Sequence, residues 1–344
     1  MKILRLFLCL VLAICLACST ASGLCASAGF EIHFLDVGQG DAAVVLCDGK
    51  AMLIDGGPPG CSSLLYAYLS DTLGLRHIDY MIATHPHDDH IGGLSGALNA
   101  CSVGAVFSPV TSYESDAFAS FLKYAERQGL RLTVPNPGQT LALGSATVQF
   151  LSPLQKYENV NDASVILRVT YGQTSFVFAG DAESAAERDL VEAGNAQPAT
   201  LLKVGHHGGA TSTSQPFLEA ILPQYAVISV GAENAYGHPA EETLARLANT
   251  GATIYRTDLH GHILCHSNGQ SLTFATQKNA GAFAYTTELQ SIEGAPYIGN
   301  QSSKKFHFAN CSSVDDMKEE NKIGFLTREE ALSQGYDPCK RCNP

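Results

Sequence analysis

The sequence predicts an α/β protein, a layered sandwich of mixed sheets with helices outside them, followed by a small cysteine-bearing module. Three observations predict it. Short apolar stretches alternate with amphipathic helical ones from Glu31 to about Thr276. The chain, 344 residues with 45% hydrophobic content, is long and apolar enough to bury a substantial core. Beyond Thr276 the alternation weakens into an Ala/Gly/Thr-rich stretch, and Cys311, Cys339 and Cys342 follow it.

The chain opens with Lys2 and Arg5 ahead of an apolar run from Leu6 to about Ala17, and small residues end at Ala26-Ser27-Ala28. That is the pattern of a secretory signal peptide, residues 1–28, cut after Ala28. The apolar run falls short of the ~20 residues that a membrane span needs, and no later stretch reaches that length. The reading is therefore an exported protein, secreted or held at the cell surface, with no stable membrane span after cleavage.

Glu31–Val37, Ala43–Cys47 and Ala51–Ile54 read as an opening β-meander, each short, apolar and bounded by Gly or Asp turns. Helical stretches follow near Ser62–Leu73, Asp116–Gln128, Ala182–Glu192 and Ala240–Asn249. They alternate with strands near Tyr80–Thr84, Val103–Phe107, Leu201–Val204 and Ala226–Val230. Ser164–Tyr171 and Thr174–Ala179 read as a hairpin turning at Gly172-Gln173. The expected organisation is a main domain over 29–278, a linker over 279–296 and a module over 297–344.

The net charge of −12 excludes a broad basic surface of the kind that grips nucleic-acid phosphates, so any phosphate must be held locally. The module carries seven Lys/Arg and seven Asp/Glu, and the main body therefore holds the negative charge. Export would leave Cys47, Cys61, Cys101 and Cys265 in the main body, in a compartment that permits disulfides. Four cysteines allow three pairings or none.

The densest chemistry is Thr84-His85-Pro86-His87-Asp88-Asp89-His90, between an apolar strand and the helix that begins at Ile91-Gly92-Gly93-Leu94. Neutral imidazoles and carboxylates are the ligands that suit zinc, manganese or iron, and a strand-to-helix turn aims them at one cavity. His85, His87, Asp89 and His90 satisfy the H-x-H-x-D-H signature, and here the sequence resembles the metallo-β-lactamase superfamily with its αββα sandwich. The resemblance extends through Phe34–Asp41, Leu53–Gly57, Asn161–Ser164, Ala179–Asp181, Lys203–Gly208, Asn234–Pro239 and Tyr255–Asp258, segments similar to the hydrolase domain of ComEC competence proteins.

That resemblance implies two divalent cations, zinc or manganese. His85 and His87 would hold the first, and Asp89 and His90 the second, with Asp181 bridging and His238 closing the second site. Asp89 and His206 are the residues assigned to catalysis, His206 as a transition-state stabiliser or general acid. Lys203 is given no catalytic role and reads equally as a solvated charge at a strand edge. Many family members supply a further histidine to the first site, yet none stands between His90 and His206. Asp162 is the candidate substitute, with an Asx turn as its alternative. Gly208-Gly209 would let substrate approach the backbone.

Two cations sharing a water would bring its pKa toward neutrality, and the ComEC resemblance points to phosphodiester hydrolysis with DNA as the partner. Hydrolysis of a carboxylic ester, lactam or thioester remains the enzymatic alternative, because one fold hosts many reactions. A non-catalytic exported binding protein is the alternative from another class. Oligomeric state is not legible.

In the module, His307 and Cys311 precede a spacer of 27 residues and then Cys339-Lys340-Arg341-Cys342. One imidazole and three thiolates suit a closed structural zinc site, the kind of staple that a segment this small needs. A disulfide is the competing reading. The module resembles the metal-binding domain of Ada DNA-repair proteins, with His307 where that domain has its first cysteine, and the resemblance implies contact with DNA.

Overall fold

A computed structural model describes residues 29–279, 281, 296–325, 328–333, 335–342 and 344. The signal-peptide segment and nearly all of the linker lie outside the described residues. Contacts divide the chain after Phe283 into two compact units.

The first unit contains two sheets. The first has eight strands in the order Leu272–Thr276, Ile263–Ser267, Phe30–Phe34, Ala43–Cys47, Lys50–Ile54, His77–Ile82, Ser102–Phe107, Leu132–Thr133. Pairing is antiparallel through the opening meander, with Phe30 opposite Cys47 and Ala43 opposite Ile54. It turns parallel from Lys50–Ile54 onward. The second has seven strands in the order Thr253–Arg256, Tyr225–Ile228, Leu201–Lys203, Thr174–Phe178, Leu167–Tyr171, Ala146–Phe150, Thr140–Leu143. The hairpin expected at Gly172-Gln173 is there, with Thr174 opposite Tyr171.

Alternation explains why the two sheets face each other. Phe30, Ile32 and Phe34 point to one side of their strand, and Phe176 and Phe178 to one side of theirs, all fully buried in a shared core. The ring of Phe30 stacks on Phe176 with centroids 4.8 Å apart, and Phe34 stacks on Phe178 at 6.0 Å. The opposite face of the first sheet carries Val44, Leu53 and Met81. These pack on Leu65, Leu94, Leu98, Phe118 and Phe121 from helices Ser62–Ala67, Leu94–Ala100 and Asp116–Arg127. Ser115 caps the last of these through its hydroxyl, which accepts from Phe118 N at 3.0 Å.

In the second sheet, helices Ser184–Glu192, Gln215–Ile221 and Glu241–Asn249 connect successive parallel strands. The inner face being filled, such crossovers cover the outer face and bury Leu190, Leu218 and Leu247. The layers are thus helix, sheet, sheet, helix. Among the described residues, no helix is long and apolar enough to cross a membrane.

The second unit is a four-stranded sheet in the order Lys322–Phe325, Tyr297–Asn300, Lys305–Phe308, Asp337–Pro338. Phe306, Phe325 and Tyr336 form its small core.

Candidate metal centre

Parallel strands collect ligands at their carboxyl ends, and three such ends meet here. His77–Ile82 runs into Thr84 and His85, Thr174–Phe178 into Asp181, and Leu201–Lys203 into His206 and His207. Asp181 is central. Its Oδ1 lies 3.1 Å from His90 Nε2, and its Oδ2 lies 3.8 Å from His85 Nε2, 3.5 Å from His207 Nε2 and 3.9 Å from His206 Nε2. A tight turn at Gly180, with φ of 54°, aims it. A Cβ on Gly180 would come within 3.0 Å of Thr84 and Ser164, so the backbones here approach as only glycine allows.

Two groups of candidate ligands flank Asp181. On one side, His85 Nε2 faces His87 Nδ1 at 3.1 Å. On the other, His90 Nε2 lies 4.0 Å from Asp89 Oδ2, which in turn lies 3.2 Å from His207 Nε2. His90 is held from behind, where Asp55 Oδ2 sits 2.8 Å from its Nδ1 while the same carboxylate accepts from Thr84 N and Oγ1 at 2.7 Å. This is how metal-binding imidazoles are usually oriented.

The donor set fits cations. His90 Nε2 and Asp181 Oδ1 are buried and have no hydrogen-bond partner although they face each other. Native interiors rarely leave such atoms orphaned, and a cation between them satisfies both. Burial opposes a charge on Asp181, but His207 and His90 outweigh it and hold the carboxyl well below its usual range. Burial, reinforced by His90, holds the His85 imidazole well below its ordinary value, in the neutral form that ligates metals. The site is thus a dinuclear-like His/Asp centre, open to a cleft of about 490 Å³.

His207 is a candidate ligand that the motif does not single out; of the two neighbours the sequence points only to His206. Both residues adopt left-handed backbone, with φ of 47° and 53°, a strained conformation for non-glycine residues. His207 turns inward to Asp89 and Asp181, with Nδ1 3.0 Å from Ser229 O and 3.2 Å from Asp41 Oδ1. His206, its side chain 24% exposed, stands at the cleft with Nδ1 3.4 Å from Glu183 Oε1 and its ring 5.3 Å from that of His238. His238 lines the same cleft and keeps a buried Nδ1 without a partner.

The structure corrects two expectations, those on Lys203 and on Gly208-Gly209. It also gives Asp162 a structural hold. Its Oδ1 accepts from Glu183 N and Ala186 N at 3.1 Å, fastening the start of helix Ser184–Glu192. Lys203 is no strand-edge charge, being 3% exposed on an inner strand with Nζ 2.6 Å from Asp41 Oδ2. A buried cation needs such a partner. Gly208 and Gly209 make room for protein rather than substrate, since a Cβ there would meet Pro239 at 2.7 Å and His238 Nε2 at 2.9 Å.

The loop after His207 is clamped from both sides. Glu187, fully buried, accepts from Thr213 N at 2.5 Å and Ser214 N at 2.8 Å. Arg246 donates to the carbonyls of Thr213 and Ser212 at 2.9 and 3.0 Å.

In the second unit, parallel pairing of Lys305–Phe308 with Asp337–Pro338 brings distant thiols to His307, and Cys339 N donates to Phe306 O at 2.8 Å. Ligand atoms of His307, Cys311, Cys339 and Cys342 lie within 4.8 Å of one another, a cluster consistent with a zinc module. Cys47, Cys61, Cys101 and Cys265 are free thiols.

The metallo-beta-lactamase superfamily profile matches residues 35–232, and that of the metal binding domain of Ada matches residues 282–344. The chain is 27% identical over 270 residues to ComE operon protein 3 of Bacillus subtilis (strain 168), covering 73% of this chain and 35% of that protein. It is 29% identical over 229 residues to Competence protein ComA of Neisseria gonorrhoeae, covering 66% and 30%. It spans about a third of the length of these relatives. A solved structure, the metallo-beta-lactamase fold protein YhfI from Bacillus subtilis, aligns with a TM-score of 0.47 at 14% identity, over 69% of this chain and 100% of that one. With more than half of its length matched by the family profile, this chain belongs to the metallo-beta-lactamase superfamily.

Proposed function

We propose that the protein is an exported, metal-dependent phosphodiesterase that cleaves nucleic acid, DNA in the first instance. The observation that carries this reading is Asp181, set between His85 and His87 on one side and Asp89, His90 and His207 on the other. Divalent ions held there supply Lewis acidity and a water of lowered pKa, and a paired site suits in-line displacement at phosphorus.

The chain's own residues do the rest. Asp55 keeps His90 turned toward Asp181. His206, at the cleft beside Glu183, is in this reading the group that hands a proton to the departing oxygen. The competence-protein names of two relatives favour DNA over other esters. The leader-like residues 1–28 favour export. The second unit would contribute one structural zinc and a contact with DNA.

Release of nucleotides from single-stranded DNA, with wild type beside Asp89→Ala and Asp181→Ala under manganese, zinc and magnesium, tests the reading. Cleavage by wild type and its loss in both variants is expected. Equal activity in all three proteins, or turnover only of carboxylic esters or lactams, would defeat it.

A further inference from the structure

Two tyrosines line the cleft, and the site as argued so far uses neither. Tyr236 is the most exposed large apolar side chain among the described residues, at 73%. One face of its ring is backed by His238, with centroids 5.8 Å apart and planes 29° from parallel. The loop beneath it is fixed by Asn234. That side chain donates to Gly231 O at 2.9 Å and His238 O at 2.6 Å, and accepts from Tyr236 N and His238 N at 3.1 and 3.0 Å. Tyr113 sits against His87 at 6.2 Å and is backed by Phe118 at the same distance. Aromatic rings held this way lose little conformational freedom when a planar ligand stacks on them.

The charge of the cleft points the same way. Asp88, Asp89, Glu114 and Asp181 line it, and no lysine or arginine does among the described residues. Lys203 is buried beneath, committed to Asp41. A nucleic-acid backbone that tracks along a protein needs a positively charged groove, which this is not.

Resting on the phosphodiesterase reading, we propose that Tyr236, with Tyr113, is a stacking platform for the nucleobases flanking the phosphate at the centre. The site then recognises an unpaired strand, or its end, by its bases and a single phosphate. Bases inside a duplex are stacked on each other and offer no free face, so the interior of a double-stranded substrate is excluded.

Calorimetric titration of the manganese-loaded full chain with a phosphorothioate-linked tetranucleotide and with its abasic counterpart tests this. The base-bearing strand is expected to bind more tightly to wild type and to Tyr236→Phe. Tyr236→Ala should lose roughly 5- to 150-fold of that affinity, the worth of one stacked base, and bind the abasic strand unchanged. With one phosphate held, affinity should fall only about two- to threefold between roughly 50 and 200 mM salt. Equal binding of both strands by wild type, full affinity in Tyr236→Ala, or a salt loss of several decades overturns the proposal. A protein that discriminates the bases yet cleaves no phosphodiester overturns the hydrolytic reading alone.

Discussion

His207 Nε2 stands 3.2 Å from Asp89 Oδ2, joining the loop that leaves strand Leu201–Lys203 to the helical turn that begins at Asp88. This contact makes His207 a ligand of the second cation in our account. His207→Ala should therefore retain the fold and lose one of the two ions of the main domain. Affinity for that ion should fall by at least the about 10–100-fold that follows loss of a mere supporting partner. Metal analysis of the dialysed variant beside wild type reads this directly, and an unchanged count would return His207 to a structural role.

Glu187 holds the same loop through two backbone N–H groups. Burial pushes its carboxyl above the ordinary value, while Ser214, Thr213 and Arg246 pull the other way. Glu187→Ala leaves buried donors unpaired, so a loss of about 1–3 kcal/mol per donor is expected in urea unfolding. The strained His206-His207 pair should also relax, with weaker metal retention at temperatures where the variant is still folded. A variant as stable as wild type would show that Arg246 alone suffices.

Asp79 ties two strands of the first sheet together, accepting from Ala51 N at 3.0 Å and Lys50 Nζ at 2.9 Å. Partial burial opposes its charge, but these two donors prevail and its carboxyl lies below the ordinary 3.8. A depressed folded pKa contributes stability that is complete above the unfolded value and disappears as pH falls through the folded one. Asp79→Asn should accordingly flatten the acid limb of stability below about pH 4 and leave its shape near neutrality alone. Melting curves of both proteins across that range check it.

For the second unit, Cys339→Ser removes one of four clustered ligands. Small metal-stapled modules unfold without their ion. Limited proteolysis should therefore release fragments from 297–344 in this variant, and in chelator-treated wild type, while 29–279 stays intact. Resistance of both the variant and the chelator-treated wild type would contradict a metal-held module.

The fold and half of the centre were legible for local reasons. The His85–His90 cluster is contiguous, so its density of metal-binding side chains is visible in the sequence, and Ala43–Cys47 and the Gly172-Gln173 hairpin follow from alternation and turn chemistry. Sheet order was not legible, because pairs such as Phe30 with Ser267 join opposite ends of the unit. Choosing His207 over His206 was beyond periodicity, since two successive left-handed residues break the in-and-out rule of a strand. Asp162 was open between two readings because a carboxylate that holds a helix start and one that binds a metal are the same residue in a sequence. Nothing in the spacing singles out His207, because its partner Asp41 lies in the distant Gly38–Asp41 segment.

The central claim is that two cations share Asp181. Anomalous diffraction from crystals of the full chain grown with manganese measures it. The account predicts two peaks in the main domain, one beside His85 and His87 and one beside Asp89, His90 and His207, with Asp181 touching both. A single peak, or side chains turned away from an empty cleft at saturating metal, would contradict it.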